Sequence, residues 1–214
     1  MQILAHRGLW KKEIEKNSLD ALIKSLDHGF GLETDIRDLN GRLVISHDLP
    51  TEDSAVYLDQ LLDYYAKNKC QTTLGLNIKS DGLQDKLRLE LKNHNITKYF
   101  VFDMSIPDTI GYLKSSMPVF IRRSEFEYHP QLVKLAQGVW LDELLGDWIK
   151  TDMLLNLVSE SKTICIVSPE LHGRSYLSQW HEIKNALKLG CPTSQLLICT
   201  DFPIEFERFL SEHN

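Results

Sequence analysis

The sequence has no basic block, no long apolar run and no cysteine pair at metal-binding spacing, and each absence removes a class of function. Without a Lys/Arg cluster, and with a formal net charge of -6, the phosphate-neutralising surface that nucleic acids require is missing. No run reaches membrane-spanning length, and MQILAHRG at the start has neither a basic segment nor a small-residue cleavage site. A cytoplasmic protein without stable membrane association is expected. The four cysteines, Cys70, Cys165, Cys191 and Cys199, are scattered, and two lie in apolar strand-like runs, which argues against a disulfide framework or a zinc cluster. Low-complexity linkers are absent too, so the 214 residues, 43% hydrophobic and 25% charged, read as one domain over 1–214.

What is present is an alternation of short Ile/Val/Leu/Phe-rich runs with longer stretches of helical period. The strand candidates are ILAHRG, GLETDI, LVISHD, TLGLNIK, YFVFDMS, PVFIRR, GVWLDE, TICIVSPE and QLLICTDF. Only the Asn40-Gly41 turn separates GLETDI from LVISHD. Parallel neighbours need a crossover of about a dozen residues, so this pair must be an antiparallel hairpin. Setting the return strand aside leaves eight β/α units, the count of a TIM (β/α)8 barrel with a β-hairpin extension after the second strand. A doubly wound open sheet is the alternative, weakened by the lack of a glycine-rich phosphate loop after the first strand.

Polar residues recur at the C-terminal ends of these strands, the face on which barrel chemistry sits. Glu33 and Asp35, two apart in an extended strand, project from the same face. Two aligned carboxylates repel unless a cation lies between them, and hard oxygen ligands suit Mg²⁺ or Ca²⁺. The hairpin returns His47 beside the pair. A strict two-residue loop would set His47 opposite Thr34, and a bulge or longer loop would change its face. His6 ends the first strand, so two imidazoles would flank the cation, one to remove a proton and one to donate it. Arg7 and Lys79 supply positive charge for a phosphate-like group. SPELHGR, residues 168 to 174, puts Glu170, His172 and Arg174 at the same face. They would form a substrate-reading loop, with Glu170 a possible extra ligand, or simply a solvated loop.

AHRG in the first strand, Asn17-Ser18, GLETDIRDLNGRLVISHD, LNIK and the late TDFP, in that order from Leu4 to Pro203, resemble the glycerophosphodiester phosphodiesterase family, whose relatives include phosphatidylinositol-specific phospholipase C and the spider sphingomyelinases D. The resemblance implies a TIM barrel, a divalent cation held by Glu33 and Asp35, His6 and His47 as the acid/base pair, and Arg7 on the phosphate. Two positions depart from the family. EKNS stands where Pro-Glu-Asn-Thr is usual, so Lys16 replaces a glutamate. Asn77 stands where the family's third metal ligand is an acid; an amide oxygen still ligates hard cations, with one less negative charge. The expected activity is hydrolysis of a soluble glycerophosphodiester or a sugar or polyol phosphodiester. The alternative is a weakened or inactive barrel that only binds a phosphorylated ligand.

Overall fold

The computed structural model describes residues 1–53, 55–160 and 162–212. It is an α/β fold with a mostly parallel sheet, and the chain divides into two compact units, one of Ala5–Val119 and one of Met1–Leu4 with the chain from Phe120 onward. Strand β1 (Gln2–His6) passes from the second of these into the first.

In the Ala5–Val119 unit, β1 leads to α1 (Leu19–Asp27), β2 (Gly31–Leu39), β3 (Arg42–Ile45), β4 (Val56–Tyr57), α2 (Leu58–Lys67), β5 (Leu74–Ile78), α3 (Gln84–Asn93), β6 (Tyr99–Phe102) and α4 (Ile106–Lys114). The HRG triplet has a steric explanation. Arg7 adopts a left-handed backbone (φ 57°), and a side chain on Gly8 (φ 92°) would come within 2.6 Å of the Ala21 carbonyl carbon in α1, so only glycine fits there. Ser18 starts α1 as its N-cap, its hydroxyl oxygen accepting from the Ala21 N–H.

Strand β2 pairs in parallel with β5, and β5 with β6, while β2 pairs antiparallel with β3. The turn between β2 and β3 has two residues, Asn40 (φ 49°) and Gly41 (φ 81°), the left-handed pair that closes tight hairpins, and Leu39 faces Arg42 across it. No bulge shifts the register. The ladder instead ends early: the Ser46 N–H still bonds the Asp35 carbonyl, and the chain then turns away, so His47 lies beyond the strand rather than in it. The two-residue strand β4 on β3 has no counterpart among the strand candidates read from the sequence. Leu32, Leu58, Leu61, Leu62, Leu74 and Leu76 are fully buried in this unit.

The other unit holds β7 (Phe120–Arg123), α5 (Pro130–Leu135), β8 (Gly138–Leu141), α6 (Thr151–Ser159), β9 (Thr163–Val167), α7 (Leu177–Lys188), β10 (Leu196–Thr200) and α8 (Pro203–Ser211). Strands β7 to β10 pair in parallel in sequence order. Trp180 of α7 packs edge-on against Phe206 of α8 at 4.9 Å. Trp148 is not helical but precedes α6, where Thr151 begins the helix. None of the four cysteines is in a disulfide, and three of them are buried. Among the described residues no helix is long and apolar enough to cross a membrane.

Candidate functional site

The C-terminal ends of β1 and β5 and the first half of β2 carry six of the residues singled out from the sequence: His6, Arg7, Glu33, Asp35, Asn77 and Lys79. The parallel register sets Asp35 beside Asn77, so both project to the face that Glu33 shares two residues earlier. Asp35 is fully buried and Glu33 2% exposed. Such burial is tolerable only with compensation, which two cations provide. Arg7 Nε lies 2.9 Å from Asp35 Oδ2, as a charge contact rather than an aligned hydrogen bond, and Lys79 Nζ lies 3.4 Å from Oδ1. Lys79 also reaches Asp103 at 3.7 Å.

Asn17, retained in the sequence motif without an assigned role, turns out to brace this cluster. Its amide nitrogen donates to Asp35 Oδ2 at 2.8 Å, and its amide oxygen accepts from the Thr34 hydroxyl at 2.8 Å. Its own N–H bonds the Arg7 carbonyl, which ties the loop after β1 to the carboxylates. The left-handed backbone of Asn17 (φ 62°), which Asn tolerates better than most residues, was the available signal.

Compensation is incomplete in one respect. Glu33 Oε2, Asp35 Oδ1 and Asn77 Oδ1 are buried and accept no hydrogen bond, although buried polar atoms are almost always satisfied. Burial, and next the Asp35 charge, push the Glu33 carboxyl up to about 8, against the pull of Arg7, Lys79 and a hydrogen bond from the Asn77 side chain. Among the described residues no three His, Cys, Asp or Glu side chains are arranged to hold a metal ion. The donor set is instead two carboxylates and an amide, each with an unused buried oxygen. That chemistry fits a hard divalent cation.

His6 is 12% exposed, with Nε2 3.8 Å from Glu33 Oε2. His47 is in the same unit but 48% exposed, and its ring pairs through Nδ1 with Asp48 Oδ1 at 2.9 Å rather than with the carboxylate pair. Its main chain is held by Arg37, whose guanidinium bonds the carbonyls of both His47 and Lys79.

Glu170, His172 and Arg174 lie in the other unit and are engaged there. The Glu170 carboxylate accepts from the Ser168 and Thr200 hydroxyls and from the Asp201 N–H at 3.1 Å, and Ser168 is itself held by Trp180 Nε1 at 2.8 Å. Burial pushes its carboxyl up despite those donors. His172 Nε2 meets Asp142 Oδ1 at 2.6 Å, and Arg174 bonds the Glu143 carbonyl and Asp147.

No family model matches the sequence, and no curated protein sequence does. Solved structures match in fold. A candidate glycerophosphodiester phosphodiesterase from Galdieria sulphuraria superposes with a TM-score of 0.77 at 16% identity, over 99% of this chain and 98% of that one. A phosphodiesterase from Oleispira antarctica, in complex with the product sn-glycerol-3-phosphate, gives 0.70 at 14% identity, over 99% and 97%. A Ca²⁺-dependent phosphatidylinositol-specific phospholipase C from Streptomyces antibioticus gives 0.56 at 9% identity, over 96% of both chains. At these identities the likeness is one of architecture: the chain has the fold of the glycerophosphodiester phosphodiesterase structures, with phospholipase C-like relatives.

Proposed function

We propose that the chain is a divalent-cation-dependent phosphodiester hydrolase, a single closed (β/α)8 barrel domain with the β2–β3 hairpin as an extension after its second strand. The observation that carries this reading is the trio of unsatisfied buried oxygens on Glu33, Asp35 and Asn77, flanked by Arg7 and Lys79. The fold likeness to glycerophosphodiester phosphodiesterases, one of them holding sn-glycerol-3-phosphate, supports a small glycerophosphodiester or a sugar or polyol phosphodiester as substrate.

Glu33, Asp35 and Asn77 would hold one Mg²⁺ or Ca²⁺, which when bound supplies charge stabilisation to the phosphoryl oxygens. Arg7 and Lys79 hold the phosphate and neutralise the charge that builds on it. Of His6 and His47, one takes the proton of the attacking hydroxyl, from water or a neighbouring substrate hydroxyl, and the other protonates the leaving alkoxide oxygen. Asp48 on Nδ1 leaves His47 Nε2 for that transfer and stabilises the ring when it is charged. Glu170 is outside the ligand set because its oxygens already have donors in its own unit. We take the cytoplasm as its place of work, a compartment that keeps thiols such as those of Cys70, Cys165, Cys191 and Cys199 reduced.

A second reading, a barrel that binds a phosphorylated ligand without turnover, draws on Asn77. The test is alcohol release from a panel of glycerophosphodiesters by metal-stripped protein, with and without Mg²⁺ or Ca²⁺. The expected result is release that requires the cation. Tight binding of glycerol 3-phosphate with no release from any diester would favour the second reading.

A further inference from the structure

Arg37 follows Asp35 by two residues in β2 and therefore projects to the same face as the carboxylate pair. Among the described residues it makes no ion pair there. Its fork donates instead to two main-chain carbonyls: Nε (3.1 Å) and Nη2 (2.9 Å) to the oxygen of His47, and Nη1 (3.1 Å) to the oxygen of Lys79. Those carbonyls belong to the segments that leave the sheet after β3 and β5. Both segments have just run out of ladder: Lys79 makes its last bond through its N–H to the Ile36 carbonyl, and Ser46 through its N–H to Asp35.

We infer that Arg37 is a positioning residue, which sets the spacing between the His47 imidazole and the Lys79 ammonium over the Glu33/Asp35 pair. The inference rests on the hydrolase reading for its chemistry, but the geometry is independent of it. His47 is half exposed, and among the described residues its turn is otherwise held by the Ser46 N–H on the Asp35 carbonyl just before it, the Ser46 hydroxyl bond to the Asp48 carbonyl and the Asp48 contact to the ring. A local turn fixes its own shape but not its place relative to β5. A planar fork with N–H groups in fixed directions sets the separation of the two carbonyls, whereas a lysine ammonium, though able to bridge two carbonyls, rotates on a flexible stem and imposes no such spacing.

The experiment compares the parent with Arg37→Ala, Arg37→Lys and His47→Ala, using the diester the parent hydrolyses fastest. Arg37→Ala should lower kcat about 10- to 100-fold, the cost of a displaced catalytic group, with KM and calorimetric cation affinity within about twofold of the parent. Arg37→Lys should not restore the rate, whereas added methylguanidinium should restore part of it in Arg37→Ala. In NMR spectra of ring-labelled histidine, the His47 signal should move and broaden in Arg37→Ala while the His6 signal stays in place. An unchanged kcat, or an unmoved His47 signal, overturns the inference even where His47→Ala is crippled. A parent inactive on every diester would sink the hydrolase reading, and the NMR comparison alone would then decide whether Arg37 positions His47.

Discussion

The two units treat the buried and half-buried carboxylates of their strands and strand ends in opposite ways. In the unit from Phe120 onward, each is held by its neighbours: Glu170 by two hydroxyls and an N–H, Glu143 by the Ile149 N–H and the Gln179 amide, Asp142 by His172, with the Arg122 charge 3.8 Å from its other oxygen. In the Ala5–Val119 unit, Glu33 and Asp35 each keep a buried oxygen without a hydrogen bond. Saturated acids hold a fold together, since their removal strands the donors that served them. Unsaturated ones weaken the fold and are retained where something else completes them. The same residue type therefore carries stability in one unit and chemistry in the other.

Substitutions should separate these two roles. The largest effects should fall on the site: His6→Ala and His47→Ala should each lower kcat by about 10² to 10⁴, the usual worth of a positioned acid or base. Glu33→Gln should abolish calorimetric cation binding, yet raise the unfolding midpoint of the cation-free protein at neutral pH, because the amide is neutral already whereas the Glu33 carboxyl, ionised in the unfolded chain, must take up a proton to fold. Glu143→Gln should do the reverse, with a loss of about 1 to 3 kcal/mol in denaturant unfolding and no change in cation affinity. A Glu143 variant that lost the cation, or a Glu33→Gln protein that was less stable, would erase the distinction between the two units.

A smaller effect concerns the ligand set. Asn77→Glu should tighten the cation and raise the rate at limiting metal by restoring a third anion, while Glu170→Gln should leave affinity unchanged and cost stability. If Glu170→Gln instead abolished binding in a calorimetric titration, the saturated carboxylate would have to be a ligand after all.

How much of this was legible in the sequence follows from the physics of each part. Strand alternation, the Asn40-Gly41 hairpin and the shared face of Glu33 and Asp35 were readable, because two-residue periodicity and left-handed turn residues act locally. The place of His47 was not, because it depends on where the ladder stops, and the hold on it comes from the distant side chain of Arg37. Asn17 and Glu170 show the same limit. A motif marks which residues matter, but whether a carboxylate is already satisfied depends on partners 18 residues away for Asp35 and 30 for Glu170. Strand β4 was too short for any pattern.

The smallest predicted effects are on pH dependence, and they have opposite signs in the two units. Glu33 sits at about 8 in the cation-free fold against an ordinary 4.5, so the folded state holds its proton more tightly than the unfolded chain. The stability this confers is complete below about pH 4.5 and is lost as pH rises through about 8. Glu125 is the reverse case. Partial burial pushes its carboxyl up, but the N–H groups of Leu145, Gly146, Leu144 and its own residue outweigh that and hold it at about 2. Its contribution is present above about pH 4.5 and disappears as pH falls toward 2, and its exposure keeps it under about 1 kcal/mol. Urea midpoints should therefore fall on the alkaline side in a way that Glu33→Gln flattens, and that added Mg²⁺ flattens too by fixing the ionised carboxylate. They should fall on the acid side in a way that Glu125→Gln reduces slightly. An alkaline slope unchanged in Glu33→Gln would mean that Glu33 is already ionised in the cation-free protein, with Arg7 and Lys79 balancing its charge unaided.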